Sequence, residues 1–381
     1  MDVPSPQPPD ARNGDDPGRA HDPGPTGKAD RRGRRGRAEI GLALLIALGV
    51  AAPAADAETL RLATYHTDLS GRGPGEILHD ILRLADRPAA TIEVIVAANA
   101  DIIALQDIDY DAGGATLTAL RDALAARGLD YPHHVSLRPN SGWPTGHDLD
   151  GDGSSAGPTD AHGYGRFNGD GGMALLSRYP IGEVRDFSGV LWRDLPGNHA
   201  ADVTPADALS VLRLHSVAAW DVEILTPDGP FRVLTSHASA PVFDGPEDRN
   251  GLRNADEIRF WQMYIEGDWS PDGAGPAAGP FALMGTLNVD PERGEGRREV
   301  VQQLLALDRL QDPRPEGAGG LATADWNDPT PGDLRVDYIL PSSDLSVIES
   351  AVLWPEEGAL TEDATTASDH RLVWVDIDLN G

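Results

Sequence analysis

The 381-residue chain contains no cysteine, which excludes disulfides, zinc–thiolate sites, iron–sulfur clusters and thiol nucleophiles. Lysine is almost as scarce: Lys28 stands alone, and every other cationic side chain is an arginine. Beyond residue 57 there is no lysine for Schiff-base chemistry or a P-loop. Positive charge as a whole is short, with 31 basic against 61 acidic side chains and a formal balance of −30. So acidic a surface repels DNA and anionic lipid on average, and leaves to such ligands only a local basic cleft or bridging cations. What is present, 40% hydrophobic and 24% charged residues, is the composition of a folded chain with a substantial core.

The N-terminus reads differently from the rest. Residues 1–38 are rich in Pro, Gly, Asp and Arg without apolar periodicity and are expected to be disordered. A basic run, Arg31 to Arg37, precedes thirteen uncharged residues from Ile40 to Ala52. That stretch is short for a membrane span and suits the apolar core of a signal peptide. Ala55-Asp56-Ala57 places small residues at −3 and −1 of a cleavage site before Glu58. The expectation is an exported protein, periplasmic or extracellular, with its leader at 1–57 and a single domain over 58–381. The leader holds eight basic and eight acidic groups, so the domain carries the whole −30.

Within the domain, strands are predicted at 60–65, 101–106, 173–177, 220–225, 231–236, 281–284, 335–340, 347–353 and 372–378. Helices are predicted at 75–99, broken at Pro88, and at 115–127, 252–266 and 297–307. Strands and helices mix from end to end without a repeat or a clear linker, which favours one α/β or α+β domain. Residues 138–172 form a long Gly/Asp/Pro/Ser-rich loop, to be read as functional or disordered.

Polar residues gather at strand ends, where a sheet scaffold commonly presents a site. His66, Asp107 (with Asp109 and Asp111), His237, Thr286 and Asn288 follow predicted strands. Asp337 and Asp369-His370 lie at or before others. Singly, each is ordinarily a capping or solvated group; together they suit metal-assisted attack on a phosphate ester. Carboxylates are natural ligands for Mg²⁺, Mn²⁺ or Ca²⁺, and a histidine oriented by an aspartate moves a proton. A Ser–His–Asp hydrolase fits less well, because no Gly-x-Ser-x-Gly elbow follows a predicted strand.

The order and wording of these motifs resemble the endonuclease/exonuclease/phosphatase superfamily, the DNase-I-like fold. The residues carrying the resemblance are Leu62-Ala-Thr-Tyr-His-Thr67, Ile102-Ile-Ala-Leu-Gln-Asp107, Gly171 to Pro180, Leu234-Thr-Ser-His237, Gly285-Thr-Leu-Asn-Val-Asp-Pro291, Arg335-Val-Asp-Tyr-Ile339 and Ser368-Asp-His370. They run through nearly all of the domain. The resemblance implies a four-layer α/β/β/α sandwich of two mixed sheets with the site at one edge. It implies Asp107 and Asp369 as metal ligands, with Mg²⁺ or Mn²⁺ as the cofactor. His370, paired with Asp337, would contact the scissile phosphate; His237 would be the second active-site histidine; Asn288 would orient water or phosphate.

Three positions depart from the family pattern. The first-strand Asn is His66, which as an imidazole ligand would favour Mn²⁺ or another transition metal. The metal-binding Glu is Asp107, one methylene shorter. The Asp of Gly-Asp-x-Asn is Thr286, and losing a positioned base costs about 10²–10⁴-fold; Asp290 is the nearest replacement. A second metal candidate lies in the long loop, where Asp148, Asp150 and Asp152 lead a D-x-D-x-D-G run, the first half of a calcium loop. Its twelfth position is Thr159 with Asp160 one beyond, and the alternative is a solvated acidic loop. Arg249, Arg253 and Arg259 make a patch near His237 that either attracts phosphate or pairs locally. Trp261, Trp354 and Trp374 read as packing.

The expected function is therefore an exported, divalent-metal-dependent phosphoesterase. It would act as a monomer on a nucleic acid or a small phosphoester. The rival, resting on Thr286, is a catalytically silent scaffold that binds.

Overall fold

A computed structural model describes residues 59–275, 279–327 and 329–380. The expected leader and its cleavage site lie outside them. Eleven strands and seven helices occur among the described residues. In chain order they are β1 (Thr59–Leu69), α1 (Glu76–Leu82), α2 (Asp86–Ala98), β2 (Ile102–Ile108), α3 (Ala115–Ala125), β3 (His133–Val135), β4 (Gly172–Ser177), β5 (Ile181–Asp186), α4 (Ala200–Val203), β6 (Ala218–Thr226), β7 (Gly229–His237), α5 (Arg249–Glu266), β8 (Phe281–Thr286), α6 (Arg298–Leu305), β9 (Asp337–Pro341), β10 (Ser346–Val352), α7 (Ala359–Ala367) and β11 (Val373–Asp378).

The strands form two mixed sheets, one ordered β10-β11-β1-β2-β4-β3 and the other β5-β6-β7-β8-β9. Only β1–β2 and β7–β8 pair in parallel. Three apolar layers explain why the two sheets stack. Alternation along β2 sends Ile102 and Ala104 inward to meet Trp220, Val222, Val233 and Met284 of the second sheet. Its neighbours Ile103 and Leu105 face outward, against Ile92, Ile95, Leu120 and Leu124 on α2 and α3. On the far side, Leu234, Leu283 and Leu340 are covered by Phe260, Trp261 and Ile265 of α5 and by Val301 and Leu304 of α6. A strand apolar on both faces loses its period-2 signature, so β2 reads in sequence as a plain apolar run. The architecture is the expected helix–sheet–sheet–helix sandwich.

Local departures from expectation have local causes. The 75–99 helix breaks at residues 83–85, where Leu84 takes φ 52°, and not at Pro88. Pro88 sits in the first turn of α2, where a backbone N–H has no helical partner to lose. β3, β5, α4 and α7 are short, mostly half-exposed pieces whose composition carries little pattern. The 138–172 loop is ordered by close backbone approaches. A Cβ at Gly163 would stand 1.7 Å from Ser216 O, and one at Gly142 1.8 Å from Phe167 O. These contacts require glycine where the sequence shows only a loop composition.

Among the described residues no helix is long and apolar enough to cross a membrane. Trp261 is fully buried, while Trp354 and Trp374 pack under the guanidinium groups of Arg371 and Arg61.

Candidate active site at the shared edge of the two sheets

The two parallel pairs end at the same edge of the sandwich. β1 and β2 bring His66 beside Gln106, and β7 and β8 bring His237 beside Thr286, which is in turn opposite Asp337 of β9. Each strand of the first pair carries an irregularity there: the β1–β2 register shifts between His66 and Leu69, and Asp68 and Asp107 take φ 51° and 54°. Such bulges turn side chains out of the strand repeat. His66, Asp68 and Asp107 each offer a ligand atom within 4.8 Å of the others'.

Three imidazoles meet at this edge. His66 stacks on His370 with centroids 4.0 Å apart and planes 12° apart, and it lies T-shaped against His237 at 5.0 Å. Trp326 packs T-shaped against His370 at 5.4 Å. His370 Nδ1 lies 2.8 Å from Asp337 Oδ2. The Asp337 carboxylate is saturated: Thr286 Oγ1 donates to Oδ1 at 2.6 Å and Thr323 Oγ1 to Oδ2 at 2.9 Å. Burial would push Asp337 up, but His370, His66 and Thr286 outweigh it and hold the carboxyl below its ordinary range. An ionised Asp337 fixes the imidazole of His370 with Nδ1 as donor and leaves Nε2 for a ligand.

The other groups divide by charge. Burial holds His237 well below the usual imidazole value, and His66 and His370 add to that, so it is neutral. His66 goes the other way: burial lowers it, but the carboxylates of Asp68, Asp107 and Asp337 raise it to about 9. Its Nδ1 is 3.2 Å from Asp68 Oδ1 yet makes no hydrogen bond. Asp68 stays ionised because His66, His370 and the Asp369 N–H outweigh its burial, whereas burial raises Asp107 despite His66.

A divalent cation fits these residues. One unbonded buried imidazole nitrogen and two carboxylates converge, a donor set suited to a small cation. Room around Asp107 is kept by Gly171 at φ 58°, where a Cβ would stand 2.4 Å from Asp107 Oδ1. Ser70 Oγ donates to the other oxygen at 2.9 Å.

Most residues read from the sequence come together here, with exceptions. Asp369, expected among the ligands, has an exposed side chain outside the His66–Asp68–Asp107 set; its backbone N–H donates to Asp68 Oδ2 at 3.1 Å. Asn288 is at the site's edge in a left-handed conformation, φ 59°, with Nδ2 donating to Ala238 O at 2.8 Å. Asp290 cannot replace the residue missing at 286, because its carboxylate accepts the N–H groups of Glu292, Arg293 and Arg335. Asp109 ties the Gly71 and Gly171 N–H groups, and Asp111 caps α3.

The arginine patch is structural. Arg253 is buried and donates to the carbonyls of Leu214, His162 and Arg213, Arg249 to that of Leu149, and Arg259 to that of Pro196. Asp68 was missed: it lies two residues beyond His66, but it is the bulge at the end of β1, with Asp68 at φ 51°, that aims it into the site. Thr323 carries no sequence signal, since it reaches Asp337 from an irregular segment.

In the long loop, Asp148, Asp150 and Asp152 also bring carboxylate oxygens within 4.8 Å of one another. Their oxygens accept the N–H groups of Gly151, Gly153, Asp152 and Ser154, and the hydroxyl of Thr159. Asp160 does not join them; it is buried and closes the loop through Leu149 N and Gly157 N.

The sequence model of the Endonuclease/Exonuclease/phosphatase family matches residues 69–370. No curated protein matches the chain. Among solved structures, an endonuclease/exonuclease/phosphatase from Beutenbergia cavernae DSM 12333 superposes with a TM-score of 0.54 at 22% identity, over 84% of this chain and 72% of that one. Sphingomyelinase C from Streptomyces griseocarneus gives 0.49 at 18% identity, over 84% and 99% of the two chains. The human Nocturnin catalytic domain with bound sulfate anion gives 0.47 at 17%, over 84% and 94%.

Proposed function

As the chain belongs to the Endonuclease/Exonuclease/phosphatase family, whose members generally hydrolyse phosphoesters, we propose that it is a divalent-metal-dependent phosphoesterase working by in-line attack of water. The observation that carries this reading is the meeting of the His370–Asp337 pair, neutral His237 and the His66–Asp68–Asp107 cluster at one sheet edge. A cation bound by that cluster would neutralise phosphoryl oxygens. His370, its Nδ1 committed to Asp337, would donate from Nε2 to a phosphoryl oxygen in its doubly protonated form. His237, kept neutral by burial, can accept a hydrogen bond from the attacking water without adding charge to the site. Asn288, close by, would orient the phosphate or water. The substrate is a phosphodiester or phosphomonoester; at −30, a small or single-stranded ester suits the surface better than duplex DNA. We further read the protein as exported, on the strength of the apolar run and small-residue cleavage pattern before Glu58, and as a monomer.

One observation favours a second reading. Thr286 is committed to Asp337 and leaves no carboxylate where the family carries one, as a catalytically silent binding protein would. The test is hydrolysis of bis-p-nitrophenyl phosphate and plasmid DNA by the full chain in Mg²⁺, Mn²⁺, Ca²⁺ or EDTA, beside His370→Ala. Metal-dependent turnover, lost in the variant, is expected. A folded protein inactive on these and on a panel of phosphomonoesters would favour the silent scaffold.

A further inference from the structure

The reading above leaves the ion open among divalent metals, but the donors do not treat these metals alike. The bulges at the ends of β1 and β2, where Asp68 and Asp107 take left-handed conformations, bring both carboxylates to the His66 imidazole. The ring is held by two neighbours, stacked on His370 with centroids 4.0 Å apart and T-shaped against His237 at 5.0 Å. Swinging away would break both contacts, so a nitrogen donor is built into the centre. Asp68 is held from the opposite side, accepting from Ser368 Oγ at 3.0 Å and from Asp369 N at 3.1 Å. Asp107 is held by Ser70. The result is one nitrogen and two carboxylates, each ligand oriented by a further group.

Mg²⁺ prefers a near-octahedral oxygen shell and dehydrates reluctantly, whereas imidazole suits Mn²⁺, Fe²⁺, Co²⁺ and Zn²⁺ increasingly well along the first transition row. We propose that the His66–Asp68–Asp107 cluster is a mixed nitrogen–oxygen centre, and that it binds a divalent first-row transition-metal ion through His66 in preference to Mg²⁺. The proposal deepens the phosphoesterase reading by naming its ion, yet binding is measurable without turnover. A centre of this kind differs from the Asp148–Asp150–Asp152 loop, which has oxygen donors alone.

The experiment uses the full chain, stripped of metal with EDTA and dialysed, loaded with Mn²⁺ and examined by pulsed electron paramagnetic resonance. Directly bound imidazole gives a ¹⁴N coupling; the oxygen-only loop cannot. His66→Asn, the residue the family pattern carries there, serves as the comparison, with its fold checked by circular dichroism. The expected result is a ¹⁴N coupling in the natural chain that disappears in His66→Asn. The Mn²⁺-over-Mg²⁺ preference, measured by titrating Mg²⁺ against bound Mn²⁺, should fall about tenfold or more. Mn²⁺ bound without nitrogen coupling, a preference unchanged in the variant, or no Mn²⁺ bound by the folded chain would each overturn the proposal. Turnover is read separately. Hydrolysis in Mg²⁺ without a nitrogen-bound ion would sink the metal assignment and keep the phosphoesterase. A nitrogen-bound ion in a chain inactive on every ester tried would do the reverse.

Discussion

Replacing Thr286 by Asp restores the family motif on paper, and the structure argues that it will not restore a base. Thr286 is fully buried, and its hydroxyl already donates to Asp337 at 2.6 Å. A carboxylate there would stand about 3 Å from the ionised Asp337. At an effective dielectric near 20, two unit charges so placed repel by roughly 5 kcal/mol, equivalent to about four pKa units. One of the two acids must then take up a proton near neutral pH, as paired carboxylates do. Asp337 would also lose a donor at the moment it gains a competitor for His370. Thr286→Asp is therefore expected to be less stable than the natural chain by about 3–5 kcal/mol at pH 8, with the gap narrowing toward pH 5 as the shared proton is supplied. Adding Asp337→Asn should recover part of the loss. The assay is urea unfolding followed by tryptophan fluorescence across pH 5–8, with hydrolysis of bis-p-nitrophenyl phosphate in parallel. A stability gap that does not change with pH would refute the reasoning. So would a gain in turnover without loss of stability; that outcome would mean the side chain turns into the site and the natural chain has lost its base.

Two further expectations follow from other groups. Gly171→Ala places a Cβ at φ 58° and 2.4 Å from Asp107 Oδ1; it should cost about 1–3 kcal/mol in denaturant unfolding and weaken cation binding in calorimetric titration, and unchanged values for both would contradict the packing described. His162 and His215 are buried away from the site and lowered by burial to about 4 and about 3. Both are neutral when folded and take up protons on unfolding, so stability is lost as pH falls below the ordinary histidine value of about 6.5, by roughly 3 kcal/mol between them at pH 5.5. His215→Phe, extending the packing on Phe260, should make the acid limb shallower by about 1.4 kcal/mol per pH unit relative to the natural chain; parallel limbs would show that His215 is not the group titrating.

Much of the fold was legible because its signals are long and local. β1, β2, β6, β7, β8 and β11 follow apolar stretches bounded by turn residues, and α5 follows a sustained helical period. The layer order came from the resemblance, since periodicity cannot say which strands pair. The site was legible by residue type at strand ends, and His66, Asp107, His237, Asp337 and His370 do converge at one edge of the sandwich, with Asn288 at its margin. What escaped depends on backbone conformation or on distant chain. Asp68 is aimed by a bulge, Thr323 arrives from an irregular segment, and Gly171 is needed for a clearance no single-residue property encodes. The helix break at Leu84 was misplaced because proline is a breaker in a helix interior and a starter in a first turn. The arginines along α5 looked like a basic patch because sequence shows charge but not the carbonyls that absorb it.

The substitutions at 66 and 286 are better understood together than singly. Taken alone, Thr286 is a lost acid on β8; taken alone, His66 is an odd replacement on β1. In the folded chain both act on the same two groups. Thr286 donates to Asp337, so that carboxylate keeps its charge and its hold on His370 without a like-charged neighbour. His66 stacks on that same His370 and extends the imidazole row to His237. Relative to the family pattern, the site thus has one carboxylate fewer beside Asp337 and one nitrogen base more beside Asp68 and Asp107. The departures thus remove a carboxylate from the second sheet and add an imidazole to the first. If this exchange is the working design, reversing either position alone should harm the centre more than reversing both. His66→Asn with Thr286→Asp should then recover cation affinity that each single variant loses, a coupling a double-mutant cycle reads directly. Additive losses would show that the two departures are unrelated.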